Sequence, residues 1–477
     1  MAGDRAIRSA VVLGAGVVGL SAALAFARAL PQLQVRVVET RPHPCASADR
    51  AVVAWPAINR FHESIGLDEA EVVRAGAATW RLGTRITGWP NRAEPWVHIH
   101  GLHGVAIGPA AFHEAWARAR RSGRGLPFDR YAAGAVLAEA GRFVHPEGDS
   151  RSPLSTYDYA LRPDPDLYRA LLAKLARSRG VELIAGELRG VELRPDGAVE
   201  AIVLGDRRRL AADLFLDCSG PGAHVLAALD GSVEGWSDHL PNVTVETTTD
   251  RKLPPSSSDA LKAEADGWTW SAPSPDRTVH LKASFDRDGL DAHVRPGRRR
   301  EPWRRNVLAL GDAAVQLDPL WGVGLLLAHR GIRRALDLLP GRSCDPVELG
   351  EYNRRTGQEA LLARDFLTLW YSRHPGAKVR VLPASLAHTV DQFRRRGRLP
   401  VMEEDPFGRE AWIAALIGLG VVPEATGPMA DEADPGRAEE VMQDLAAGFA
   451  TLPEQLPDYA RYLTHCGYGA DRGRRGG

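Results

Sequence analysis

Val11-Val12-Leu13-Gly14-Ala15-Gly16-Val17-Val18-Gly19 carries a short β-branched run into G-x-G-x-x-G and on into the helix-prone stretch from Leu20 to Leu30. The pattern predicts a strand, a tight glycine turn and a helix whose first amides face an anion, the opening unit of a Rossmann-like dinucleotide site. The next strand, Val35-Arg36-Val37-Val38, closes on Glu39, about twenty residues after the last glycine, where a carboxylate accepts hydrogen bonds from a ribose diol. NAD and FAD share that diol, so this stretch alone does not choose between them. An apolar run behind Arg5 and Arg8 also has the look of a secretory leader. The complete fingerprint and the lack of a small-residue cleavage site before Glu39 argue against it.

A second motif makes the choice. Leu308-Ala309-Leu310-Gly311-Asp312-Ala313-Ala314, followed by Asp318-Pro319, ends a strand on an acidic side chain placed for a ribityl hydroxyl, and Gly322 and Gly324 then open a helix towards a pyrimidine ring. The pair resembles the two-part signature of FAD-dependent aromatic monooxygenases and their relatives the halogenases. That resemblance implies FAD as cofactor, held by Gly14, Gly16, Gly19, Glu39, Gly311, Asp312, Gly322 and Gly324.

Composition bounds the rest. A chain of 477 residues, 44% hydrophobic, buries a large core, and sixty basic residues balanced by sixty acidic ones call for neither nucleic acid nor an anionic membrane. No further apolar run approaches a membrane span. Cys45, Cys218, Cys344 and Cys466 are scattered without a C-x-x-C pair, which argues against a metal site or a disulfide framework and fits a reducing cytoplasm. The expected class is α/β: an FAD-binding domain over 1–340, interleaved with a β-rich substrate lobe at roughly 73–161 and 242–285, then a mostly helical C-terminal lobe over 341–469 and a frayed tail over 470–477. Leu167 to Arg179, Val347 to Arg373 and Glu410 to Leu419 carry helical periodicity, and Asp213 to Gly220 is a buried strand returning to the FAD sheet. Ser256 to Ser258, Arg298 to Arg300 and Arg394 to Arg398 are expected as loops or solvated surface.

Four stretches carry a closer resemblance, to the flavin-dependent tryptophan-halogenase-like family: Ala78 to Trp89 (ATWRLGTRITGW), Asp213 to Gly220, Gly267-Trp268-Thr269-Trp270-Ser271-Ala272-Pro273, and Ala415 to Pro423. In that family reduced FAD and oxygen form a flavin hydroperoxide, halide attacks it, and hypohalous acid passes along a tunnel to a lysine. The W-x-W-x-x-P element, here Trp268 and Trp270, lies beside that tunnel. The resemblance puts Arg81 at the lysine position, and the first lysine of the whole chain is Lys174. It puts Trp321 where the family has a glutamate after the proline-leucine pair. Ala48-Asp49-Arg50-Ala51 replaces the family's G-x-G-E strap, with Arg50 able to approach the flavin or its pyrophosphate.

A guanidinium stays cationic and replaces a titratable amine poorly, though its fork holds anions well. These departures lead to the expectation of an oxygen-using FAD oxidoreductase, a monooxygenase or oxidase of an aromatic, indole-derived intermediate of specialised metabolism, on a halogenase scaffold that has lost halogenation. Arg81 would then be a fixed cation in the substrate pocket, on one strand face with Arg85. Two alternatives stand beside it: a halogenase with rearranged catalytic residues, for which Glu63, His98, His100 and His103 are candidate bases, and a non-catalytic flavin-binding scaffold for a partner enzyme. No second dinucleotide fold follows the first, so reduced flavin is expected from a separate reductase.

Overall fold

The computed structural model describes residues 6–90, 94–286, 294–432 and 434–471. The opening strand, Ser9–Leu13, lies at the centre of a six-stranded sheet, between Leu214–Asp217 and Gln34–Glu39, with Glu182–Ala185 outside the latter and Val307–Ala309 outside the former. These five are parallel; Trp303–Arg304 closes the edge antiparallel. Strands covered on both faces read as continuous apolar runs, as Val11-Val12-Leu13 and Leu214-Phe215-Leu216 do. The helix Val17–Ala29 packs against Pro165–Ser178 and Val323–Asp337, and its first ten residues are buried. All the parallel strands point their C-terminal ends at one rim, where ligands of such sheets collect.

A second six-stranded sheet runs in the order Val243–Asp250, Thr278–Phe285, Gly267–Pro273, Ser258–Glu264, Gly83–Thr87, Trp96–Ile99. It unites both inserted segments through the parallel pairing of Gly83–Thr87 with Ser258–Glu264. The first segment is not purely β: Phe112–Arg121 and Ala133–Glu139 are helices, where alanine-rich sequence with apolar residues at helical spacing favours them. C-terminal to residue 341 the chain is helical, led by Pro346–Tyr371, Arg409–Gly418 and Pro435–Gln455.

Three local expectations are corrected. The stretch Ala78 to Trp89 is two strands: Ala78–Arg81 pairs with Ala160–Pro163 in a separate ribbon, and only Gly83–Thr87 joins the large sheet. Gly83 lets the second of these lie close on Trp96–Ile99, since a Cβ there would lie 2.5 Å from the His98 carbonyl oxygen. Arg81 and Arg85 therefore share no strand face; Arg81 is buried and Arg85 exposed. Arg394 to Arg396 end a helix, Ala384–Arg396, and Arg299 is buried with its guanidinium on the Asp230, Ser232 and Gly222 carbonyls. Most of the expected tail, from residue 472, lies outside the described residues.

Candidate active site

At the rim of the parallel sheet the fingerprint glycines are dictated by close approach. A Cβ on Gly14, whose φ is +110°, would sit 2.4 Å from the Cys218 carbonyl oxygen, and one on Gly19 would sit 1.9 Å from the Gly14 carbonyl oxygen. The helix thus lies against the strand with its N-terminus open at Gly16, where a Cβ would meet the Asp49 carboxylate at 2.3 Å. Asp49 Oδ1 accepts the Val18 N–H at 2.9 Å. A carboxylate of the chain itself therefore stands at the helix end that binds anions, in the place where a pyrophosphate would accept the same amides. Burial pushes its pKa up to about 6, against the hydrogen bond from Val18.

Asp312 is turned onto the same short segment, accepting the N–H groups of Ser47 and Ala48 at 3.1 and 2.9 Å. Burial raises its pKa to about 8. Gly322 needs to be glycine, because a Cβ would meet the Val53 carbonyl oxygen at 2.1 Å, and Gly324 packs on Ala48. Glu39 ends its strand half-buried, 3.2 Å from Arg177. Arg50 is exposed and lines a small cleft with Cys45, Val245, Leu281 and Pro319, between the FAD-sheet loops and the second sheet. The donors and the glycine cradle fit a dinucleotide, whose phosphates would have to displace the Asp49 carboxylate.

Beyond the Gly322 turn the interior is aromatic. Trp268, Trp270 and Ala272 share one face of their strand and are buried. Trp268 donates its Nε1–H to the Tyr371 hydroxyl at 2.9 Å. Trp321 adopts φ +63°, an uncommon conformation for so bulky a residue. It is held there by contact with Trp270 at 5.3 Å, Trp370 at 4.5 Å and His98 at 4.8 Å between ring centroids, and by the Trp55 Nε1–H donated to its carbonyl at 2.8 Å.

Arg81 does not face an open pocket, which corrects the expectation of a substrate-binding cation. Its Nε donates to Asp259 at 2.6 Å, Nη2 to Thr84 at 2.6 Å and Nη1 to His100 Nε2 at 3.0 Å. Arg162 takes the other oxygen of Asp259 at 2.6 Å. Since a guanidinium only donates, His100 Nε2 is an acceptor and the ring is neutral. Burial and the Arg81 charge lower its pKa well below the ordinary value. All five lysines of the chain are exposed, so none supplies a buried amine.

Of the four candidate bases, Glu63 is exposed, His100 is committed to Arg81, and His103 stacks on Phe128 at 4.6 Å. His98 touches Trp321 and Trp370, and its buried Nε2 has no partner. Burial lowers its pKa to about 3. The sequence reading passed over Asp259, Arg162 and Asp49: an aspartate in a sheet and one in a loop carry no local signal, and only the register of distant strands brings them to these places.

The tryptophan halogenase family model matches residues 9–283 and 277–435. The chain belongs to that family. It is 24% identical to the 7-chloro-L-tryptophan 6-halogenase KtzR of Kutzneria sp. (strain 744), over 95% of this chain and 98% of the relative. With the tryptophan 6-halogenase ThaL of Streptomyces albogriseolus the identity is 27%, over 95% and 97%. Among solved structures, BrvH, a flavin-dependent halogenase from Brevundimonas sp. BAL3, superposes with a TM-score of 0.89 at 30% identity, over 96% of this chain and 99% of its own. Family membership makes FAD the cofactor. It also overturns the expectation of a scaffold that has left halogenation for hydroxylation or oxidation: the family match and the relatives, spanning the whole fold, are halogenases.

Proposed function

We propose that the protein is a flavin-dependent halogenase of an aromatic, indole-bearing substrate, working with a catalytic set rearranged around His98 and served by a separate flavin reductase. The observation that carries this is the family match over residues 9–283 and 277–435. Reduced FAD, with oxygen and halide, supplies the electrophilic halogen. Gly14, Gly16, Gly19 and Asp312 would hold FAD at the rim of the parallel sheet, beside the small cleft that Arg50 lines.

At the substrate, a carbon–halogen bond forms, the carbon–hydrogen bond at the same carbon breaks, and the proton needs an acceptor. Arg81 is unsuited, because its donors are engaged and it stays charged. His98 is neutral, has a free Nε2 lone pair and sits against Trp321, the residue at the family's glutamate position. Its low basicity is no obstacle, since the proton of a halogenated arenium ion is far more acidic than that of an imidazolium. Trp270 and Trp321, buried and in ring contact, pack beside His98 and keep bulk water away from it.

The test is mass spectrometry of products formed with a flavin reductase, FAD, bromide and a panel of indoles. A monobrominated product over multiple turnovers is expected, and His98→Asn should slow its formation by about 10²-fold or more without loss of bound FAD. Hydroxylated or dehydrogenated products without bromination would refute the proposal.

A further inference from the structure

A groove of about 790 Å³ runs along the outer edge of the parallel sheet and shares no lining residue with the site described above. One wall is a single stripe of the helix Pro346–Tyr371, on which Pro346, Leu349, Gly350, Asn353, Gly357 and Leu361 recur at helical spacing. From Pro346 to Leu361 the stripe is about 22 Å long. The other wall is the edge strand Trp303–Arg304 with the residues beside it. Asn353 stitches the walls together, accepting the Trp303 N–H at 3.0 Å and donating to the Trp303 carbonyl at 2.9 Å, and Arg298 donates to the Gly357 carbonyl at 2.7 Å. A Cβ at Gly350 would have nothing within 4 Å, so the groove is open above that position.

The lining is basic. Arg298, Arg300, Arg304, Arg305 and Arg354 face two carboxylates of the groove itself, Glu234 and Glu301. Arg298 and Arg300 meet Glu234 at 3.2 and 2.9 Å, Arg304 meets Asp230 and Glu301 at 2.9 and 3.2 Å, and Arg354 meets Glu351 at 2.8 Å. Arg305 is exposed, with Asp196 in reach of its charge. Asp196, Asp230 and Glu351 lie outside the lining, so the surface a ligand would meet carries five positive charges and two negative ones. Arg300, Arg304 and Arg354 are 77, 41 and 51% exposed, and ion pairs so exposed exchange partners at little cost. Donors are in excess too, since Trp303 Nε1 and Arg298 Nε are buried without a partner. This wall is short of acceptors.

We propose that the groove docks an acidic segment of a partner protein, laid out in extended form between Pro346 and Leu361. At about 3.3 Å per residue, the stripe accommodates about six or seven residues. A compact phosphate needs guanidiniums that converge on one point, whereas these are anchored on separate carboxylates along the groove. Nucleic acid calls for a broad basic face and open rings for stacking; this chain has no net charge, and Trp303, the one aromatic residue of the lining, is buried. Carboxylates spaced along an extended chain meet the arginines in turn, each offering a planar fork. The strand wall turns directly into Val307–Ala309, which pairs with it, so the docked partner sits against the edge of the flavin-binding sheet.

The test is fluorescence anisotropy of a labelled octaglutamate peptide titrated with the full-length protein. Saturable binding that weakens as ionic strength rises is expected, with an octaglutamine peptide bound about tenfold more weakly or worse. Gly350→Glu places a carboxylate in the open groove without a clash and should weaken octaglutamate binding by about tenfold or more. Gly350→Gln, neutral and of the same size, should lose clearly less. Arg395→Glu, an exposed position on Ala384–Arg396 outside the groove, changes the net charge by more and should leave binding within about twofold. The proposal is overturned by the absence of saturable binding, by Gly350→Glu binding like the parent, by equal losses in the Gly350 pair, or by an equal loss in Arg395→Glu. Displacement of the peptide by inorganic pyrophosphate or single-stranded DNA at lower concentrations than by unlabelled octaglutamate would equally overturn it, in favour of a phosphate ligand.

Discussion

Replacing Asp49 with alanine should tighten FAD binding. In the structure its carboxylate occupies the N-terminus of Val17–Ala29 through the Val18 N–H at 2.9 Å, and phosphates bound at the same amides would have to displace it. A hydrogen bond to a charged group is worth about 1.5–3 kcal/mol. Burial offsets part of this, as the pKa pushed up to about 6 indicates. What remains is about 1–2 kcal/mol of competition, or about 5- to 30-fold in the dissociation constant. Asp49→Asn, which keeps an acceptor and loses the charge, should fall between.

The same residue sets a pH dependence. A carboxyl whose folded pKa is raised stabilises the cofactor-free form below its ordinary pKa, and that contribution is lost as pH rises through about 6. Displaced into solvent it returns to about 3.9, so FAD binding releases a proton between the two values and strengthens as pH rises. From pH 5 to pH 7.5 the parent should gain about tenfold in affinity relative to Asp49→Ala. Calorimetric titration of both proteins with FAD at the two pH values measures both effects. An alanine variant that binds FAD no more tightly than the parent, or that shows the same pH dependence, would refute Asp49 as the competitor.

Gly16→Val should abolish stable flavin binding, read as the 450 nm absorbance retained after desalting, because its side chain would fill the open helix end that Asp49 now approaches; retention equal to the parent would place the cofactor elsewhere. Asp259→Asn should cost about 3–5 kcal/mol in urea unfolding, since it strands two buried guanidiniums. Arg81→Met should cost clearly less, because Asp259 keeps Arg162; equal losses would show that the triad is not the structural unit. His103, lowered to about 3 by burial, stays neutral when folded, so its contribution is present above its unfolded pKa of about 6.5 and is lost as pH falls. The stability difference between pH 7.5 and pH 5 should therefore shrink by about 2 kcal/mol in His103→Phe, measured from urea curves, and an unchanged difference would mean the imidazole is protonated in the folded state.

How much of this was legible in the sequence depends on how far apart the cooperating residues lie. The fingerprint Val11 to Gly19 reports a local geometry, strand to turn to helix, in which each glycine answers a backbone contact within a few residues or with a neighbouring strand. It could be read without the fold, as could Gly311-Asp312 and the buried strand Asp213 to Gly220. The pairing of Trp268 with Trp270 followed from strand alternation alone. The halogenase resemblance was likewise visible, but reading Arg81 and Trp321 one position at a time led to the wrong chemistry, because the loss of two side chains says nothing about what their neighbours supply.

Tertiary structure decided those neighbours. Arg81 became part of a buried triad because Ala78–Arg81 pairs with Ala160–Pro163, carrying Arg162, while Ser258–Glu264 brings Asp259 beside the break at Leu82. Trp321 met Trp270 and Trp370 from a different sheet and a different helix. Asp49 reached the helix end because Asp312, from the far side of the sheet, holds the turn at Ser47 and Ala48. In the sequence itself the spacing of short-range motifs determined the dinucleotide-binding fold, and the family resemblance those motifs carry pointed to FAD. The charge balance and the hydrogen-bond vacancies of the interior were set only in three dimensions, because burial, which gives an unpaired N–H or an extra guanidinium its cost, is a property of the packed chain.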